Sequence, residues 1–422
     1  MTAAADAIRP VGPALKISRA SLVAAALWLL VFSGSIVKIE PSPYEAVFPF
    51  ACLALLVAGA RMHRALAPMI VALALFNLGG LIGLVPWLDW QPGVMFILIS
   101  IYMGATTIFF ACALLDDTER RLAAIRSAYI WTAVFAAILG VVGYFADDPL
   151  HELLTRFDRA TGAFKDPNVF GPFLIAPAVW LADDLLRGGE GARAAMARAA
   201  ALALIMTALF LTFSRGAWIA AAGTLALCVA LRFAVGASRA MRQRIVLLSL
   251  LGLAALIGLL SIAVSIPAVR EVFVERASLD QAYDLGELGR FGAQLRSIPL
   301  LLESPLGFGP LRFHIVIGNE DPHNVYVNAF ASYGWLGGLA YLALIGMTLF
   351  VGWRLALRPG PFRSAAIPIW AALFLQILQG VQIDTDHWRH LYLLIGVVWG
   401  LGAASAMRER RAAPHLRATE KA

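Results

Sequence analysis

Long apolar runs separated by short polar joints dominate the chain, and their lengths are those of membrane spans. A helix crosses the hydrocarbon core with about 20 mostly apolar residues. That window predicts twelve spans: 21–36, 44–60, 66–87, 93–115, 128–145, 169–186, 199–213, 216–231, 245–266, 327–353, 366–383 and 391–407. The runs are continuous rather than alternating, which excludes a transmembrane barrel. Backbone groups in lipid must bond to one another, so each run is a helix. The expected fold is all-α: a polytopic membrane bundle of about 12 transmembrane helices, forming a single transmembrane domain over residues 1–422. Two polar connections interrupt it, 146–168 and 267–326. Within the larger one, 269–282 and 288–302 have the apolar spacing of short helices lying on a membrane surface. There is no repeat of the kind that marks inverted-repeat transporters.

Composition agrees with this pattern. Hydrophobic residues make up 60% of the 422-residue chain and charged residues only 14%. Charge then gives the orientation. Of the 34 Lys and Arg, 23 fall in one alternating set of joints and termini, which leaves 11 in the other. The positive-inside rule puts both termini in the cytoplasm and both long connections outside an inner membrane. This anchoring accounts for the net charge of +7. No soluble basic domain exists to bind nucleic acid. Cys52, Cys112 and Cys228 each fall within a span, and three scattered thiols form neither a disulfide framework nor a metal site. The first apolar run has no small-residue cleavage site and reads as a retained span.

The residues that could carry chemistry gather on the outer face. Arg215 lies in a tight hairpin between spans, Ser214-Arg215-Gly216. It can be a snorkelling anchor beside Trp218, or a clamp whose guanidinium grips phosphate oxygens in a fork. Arg290, and likewise Arg159 and Lys165 of the first outer connection, can be solvated surface charges or anion ligands. His323 stands in Asp321-Pro322-His323-Asn324. A neutral imidazole can take a hydroxyl proton near neutral pH, with Asp321 or Glu320 to orient it. The same cluster can simply start a helix, with Asp321 as cap and Pro322 opening the first turn. Asn168 reads as the cap of the sixth span or as a polar group facing the cavity of Arg215. His314 and His387 are weaker candidates. Asp183-Asp184, at the opposite face, reads as an ordinary interfacial pair. There is no nucleotide loop and no cluster with metal-ligand spacing, so neither a cofactor nor a metal is expected.

Taken in order, Thr161-Gly162 to Asn168, Ser214-Arg215-Gly216, Gly289-Arg290 with Pro305 to Gly309, and His323-Asn324 leading into Ser332 to Gly338 form a set. It resembles the O-antigen ligase and O-antigen polymerase superfamily of bacterial membrane glycosyltransferases over residues 159–345. The resemblance implies a GT-C type helical fold and an undecaprenyl-diphosphate-linked glycan donor at the periplasmic face. It implies that Arg215 and Arg290 hold the diphosphate, that His323 acts on the acceptor hydroxyl, and that transfer inverts the anomeric carbon without metal. Asn168, Asn324, Arg159 and Lys165 are the further candidates for substrate contact. One departure is that Phe291 follows Arg290 and Gln294 comes only later, where relatives carry an aromatic further along, so the partners of Arg290 stay open. The acceptor is lipid A core for a ligase and another lipid-linked repeat for an O-antigen or exopolysaccharide polymerase. A protein hydroxyl is a third choice, disfavoured by the lack of an appended outer domain. A lipid-linked glycan transporter would need ionisable groups in mid-span, and the spans show few.

Overall fold

The computed structural model describes residues 18–189, 191–235, 238–277, 289–318 and 322–419. Each of the twelve expected spans is a helix: α1 (Arg19–Ser33), α2 (Pro43–Val57), α3 (Ala67–Leu84), α4 (Gln91–Ala113), α5 (Thr118–Phe145), α7 (Pro167–Arg187), α8 (Ala192–Leu211), α9 (Arg215–Ala234), α10 (Arg239–Ser265), α14 (Val325–Leu357), α15 (Arg363–Gln379) and α16 (Arg389–Thr419). Among the described residues nine helices are long and apolar enough to cross a membrane, while α1, α2 and α15 are shorter. Four short helices lie between spans: α6 (Leu150–Leu154) in the first connection, and α11 (Pro267–Ala277), α12 (Arg290–Glu303) and α13 (Phe313–Ile317) in the second. The expected surface helix over 269–282 is helical through Ala277, and residues 278–282 lie outside the described ones.

Local sequence sets the helix starts. Asp166 caps α7 by accepting from Asn168 N at 2.7 Å, with Pro167 preset for the first turn. The cap is therefore Asp166 and not Asn168. Ser214 caps α9 by accepting from Ala217 N. Most spans pack into one apolar cluster that includes Phe76, Phe110, Phe170 and Leu394. α10 contributes little to it. Leu247, Leu250, Leu253 and Ile262 are exposed, which is the expected state of a helix facing lipid.

The connections after the first, third, fifth, seventh, ninth and eleventh spans meet on one face. Lys38 N donates to Ala163 O (3.1 Å), Ala160 N to Leu211 O (2.9 Å), and Val325 N to Gly380 O (2.9 Å). The guanidinium of Arg312 lies 4.1 Å from the ring centre of Trp87. This convergence is what alternating spans require.

A kink in α14 shapes the face. Gly334 adopts φ 64°, so the helix is broken within its first three turns. The break exposes the Ala331 carbonyl and the Trp335 amide, and the Pro305–Pro310 turn takes both. Phe308 N donates to Ala331 O (2.7 Å) and Trp335 N to Pro305 O (2.8 Å). Trp335 Nε1 donates to Leu301 O (2.8 Å) and locks α12 to the same place. The turn works only without side chains at the contact. A Cβ on Gly307 would stand 2.6 Å from Ala331 O, and one on Gly334 2.8 Å from Pro305 O. Two motifs far apart in sequence are thus one interlocked joint.

The opposite face holds a charge hub. Asp183, 2% exposed, takes both arms of Arg232, with Nε at 2.6 Å and Nη2 at 2.7 Å. Arg187 reaches Asp183 and Asp184, and Arg198 and Arg126 reach Asp184. The doublet is thus the centre where α5, α7, α8 and α9 are tied together, and not an ordinary interfacial pair.

Candidate active site

Three helix N-termini meet around the turn that follows α15. Arg215 is the first residue of α9, Arg290 the first of α12, and His323 lies two residues before α14. Each is tied to residues 379–384. The Arg215 hairpin backs onto Gln379 and Gln382, since a Cβ on Gly216 would stand 2.8 Å from Gln382 Nε2. α12 is strapped down by Gln294, one turn beyond Arg290. Its Nε2 donates to Val381 O (3.0 Å) and to Pro322 O (3.1 Å), and its Oε1 accepts from Asn324 Nδ2 (3.1 Å). His323 Nδ1 lies 3.7 Å from Asp384 Oδ2, and Asn328 Nδ2 donates to the other oxygen of that carboxylate.

The local backbone explains this placement. α14 begins at Val325, and Asn324 caps it by accepting from Tyr326 N (2.9 Å) and Val327 N (3.3 Å). The expected start at Pro322 is thus corrected by three residues, and the cap is Asn324 rather than Asp321. Asp321 and Glu320, the expected orienting carboxylates, lie outside the described residues. His323 itself has φ 45°, a left-handed conformation uncommon for a side-chain-bearing residue. The Gln294 strap on one side and the Val325–Gly380 bond on the other hold it there.

Arg159 is 7% exposed and so is not a solvated surface charge. Its Nε donates to Thr212 O (2.7 Å) and its Nη2 to Asn168 Oδ1 (2.7 Å). It therefore braces the first connection against the strand of chain that leads into Arg215. Asn168, the second residue of α7, is brought to that hairpin through Arg159. Lys165 is half exposed and pairs with Glu40 of the α1–α2 connection.

Two cavities open beside this turn. The smaller, about 370 Å³, is lined by Lys165, Asp166, Asn328, Ser332, Asp384 and Asp386 among others. The larger, about 850 Å³, has mainly apolar walls from α1, α2, α4, α7 and α16, with the Glu45–Arg389 pair among them. His387 lines both. Its Nδ1 is 3.1 Å from Asp386 Oδ2 and its Nε2 3.1 Å from Phe96 O. Both partners are acceptors, so the ring satisfies both only by carrying two protons. Burial opposes that charge, but Asp386 and the two hydrogen bonds outweigh it and raise the His387 pKa above the ordinary histidine value. The two acceptors and the raised pKa both favour the doubly protonated ring. His314 sits in α13, where its carbonyl accepts from Gly318 N.

Sequence reading missed the strap by Gln294 and the nearness of Asp384 to His323. The crowded polar run Asp384 to His390 was the available signal for the second. Among the described residues no three His, Cys, Asp or Glu side chains come together as a metal-binding set.

The O-antigen ligase family model matches residues 200–342. That stretch runs from within α8 to within α14 and includes Arg215, Arg290, His323 and Asn324. It leaves Arg159, Lys165, Asn168 and Asp384 outside. No curated protein matches the chain.

Proposed function

We propose that this chain, a membrane enzyme of the O-antigen ligase and polymerase superfamily, transfers glycan from an undecaprenyl-diphosphate donor to an acceptor hydroxyl. On this reading it is of the ligase type, with lipid A core as acceptor, and it works at the periplasmic face of the inner membrane. The observation that carries the reading is the position of the two arginines. Arg215 and Arg290 each open a helix. A cation is disfavoured at that end by the helix dipole, whereas an anion is favoured there. A diphosphate seated at the two N-termini meets backbone N–H groups, the dipoles and two guanidinium forks together.

The chemistry follows from this seat. The acceptor oxygen attacks the anomeric carbon, the carbon–oxygen bond to the diphosphate breaks, and the electron pair leaves on the phosphate oxygen. Arg215 and Arg290 stabilise the charge developing there. His323 takes the hydroxyl proton, and Asp384 orients the ring and stabilises the imidazolium that forms. The left-handed backbone at His323 is the kind of local strain that persists where surrounding bonds over-determine it for a purpose. Attack from the face opposite the diphosphate inverts the anomeric carbon. A polymerase uses the same steps with a lipid-linked repeat as acceptor, so an assay offering both acceptors separates the two.

The test compares donor binding with transfer. Arg215→Ala and Arg290→Ala should lose donor binding and transfer while the protein still inserts, and lysine at either site should restore little. His323→Gln should keep donor binding and slow transfer by about two to four orders of magnitude. Near-normal transfer by His323→Gln removes the base, and wild-type transfer by both alanine variants removes the clamp.

A further inference from the structure

We infer that a basic pocket at the end of the bundle remote from the candidate active site holds the headgroup of an anionic phospholipid. The pocket shares no residue with that site, so this stands apart from the glycosyl-transfer reading.

The pocket, about 200 Å³, lies where the end of α14, the start of α15 and α16 meet. α14 begins beside His323, so its far end is on the opposite face. Arg354 is in the last turn of α14, Arg358 follows its last residue, and Arg363 opens α15. All three line the pocket, against one carboxylate, Glu409.

Arginines at this end are what the positive-inside rule expects, and most are simply solvated. Pairing sets these three apart. Other arginines of the same face are neutralised, with Arg126, Arg187 and Arg232 on Asp183 or Asp184 and Arg408 on Glu119. Among the described residues, the guanidiniums of Arg354, Arg358 and Arg363 have neither an ion pair nor a hydrogen bond. Arg354 lies only over the Phe350 ring, 5.7 Å from its centre. Three convergent guanidiniums in a concave site fit phosphate oxygens, which they bind as forks.

The walls favour a lipid over a free anion. Val351, Leu355, Trp399 and Ala403 give the pocket an apolar side. Inorganic phosphate leaves that side bare, whereas the glycerol and first methylenes of a phospholipid cover it. The depth agrees. Phe350 and Trp353, just inside Arg354 on the same span, are 60% and 44% exposed, and aromatic rings at the end of a span mark the membrane interface. Size agrees as well. The volume is below the roughly 300–1,000 Å³ of sites that enclose a whole small molecule. It suits a headgroup whose acyl chains stay in the bilayer, as in other basic pockets between span ends. A phosphate gripped by Arg358 and Arg363 ties the end of α14 to the start of α15.

The experiment titrates the full chain, in neutral detergent, with phosphatidylglycerol and with phosphatidylcholine, and counts bound lipid by native mass spectrometry. The wild type should retain phosphatidylglycerol in preference. At about fivefold per arginine, the triple variant Arg354→Gln, Arg358→Gln, Arg363→Gln should weaken its binding about a hundredfold. Arg358→Gln alone should weaken it about fivefold and serves should the triple variant fail to fold. A control triple variant, Arg193→Gln, Arg239→Gln, Arg242→Gln, removes three exposed arginines of α8 and α10, which line no part of the pocket, and should bind as the wild type does. Glu409→Gln should tighten binding, a gain that no folding defect produces. Inorganic phosphate and glycerol phosphate at the same concentration should not displace the lipid. Equal loss in the control, unchanged binding in the pocket variants, no gain from Glu409→Gln, or displacement by either free phosphate overturns the lipid site.

Discussion

Gln294→Leu is the most direct probe of how the site is assembled. The substitution keeps the bulk of the side chain and removes three hydrogen bonds, those to Pro322 O, Val381 O and Asn324 Nδ2. A net hydrogen bond contributes about 0.5–1.5 kcal/mol, and one to an exposed partner belongs at the low end. The Val381 bond is exposed and the other two are half-buried, so about 2 kcal/mol is the loss to expect. The loss is local, because α12 packs in a small satellite cluster with Phe313 and Ala331 and not in the main core. It should therefore appear as a weaker hold of α12, and with it Arg290, against the His323 segment. At about 1.4 kcal/mol per tenfold, transfer should fall roughly thirtyfold. The assay is transfer by the purified enzyme, with the thermal midpoint measured alongside. The midpoint should move little. Gln294→Glu keeps the acceptor for Asn324 but sets a carboxylate oxygen against the Pro322 and Val381 carbonyls, so it should lose at least as much. A Gln294→Leu enzyme with wild-type transfer, or one whose lost activity simply follows a collapsed midpoint, refutes the strap.

Three further outcomes follow from the geometry. Gly334→Ala adds a Cβ at φ 64° that meets Pro305 O; it should destabilise by about 1–3 kcal/mol and reduce transfer, and an unchanged thermal midpoint counts against the interlocked joint. His387 has its folded pKa raised, so its contribution to stability is fully present below the unfolded value of about 6.5 and is lost as pH rises through the folded value. Wild-type stability should accordingly decline more steeply than that of His387→Gln between about pH 6.5 and the folded value, and parallel pH profiles refute the doubly protonated ring. With two guanidiniums on the leaving group, transfer should persist in excess chelator, whereas loss restored by magnesium would require carboxylates such as Asp384 to act as ligands.

The helical type and the place of each apolar segment are legible in the chain because a bilayer imposes one length on every span. Arg215 and Arg290 stood out for the same reason, as cations in the connections on the face poorer in positive charge. Helix starts were read less well. Asp166 outcompeted Asn168 and Asn324 outcompeted Asp321, because a cap is decided by which side chain reaches a free N–H, and neighbouring Asp and Asn look alike in sequence. Only the tertiary structure could reveal what the site residues touch. Gln294 meets Pro322 and Val381, 28 and 87 residues away, and Arg232 meets Asp183, 49 residues away. No local pattern encodes such pairs, since each partner is set by where two helices happen to end. Arg159 shows the same limit: its sequence neighbourhood is that of a surface charge, and the packing of the first connection against Thr212 turns it into a buried brace. Apolar periodicity fixes which segments enter the membrane, and the bonds between their ends decide which polar residues share a site.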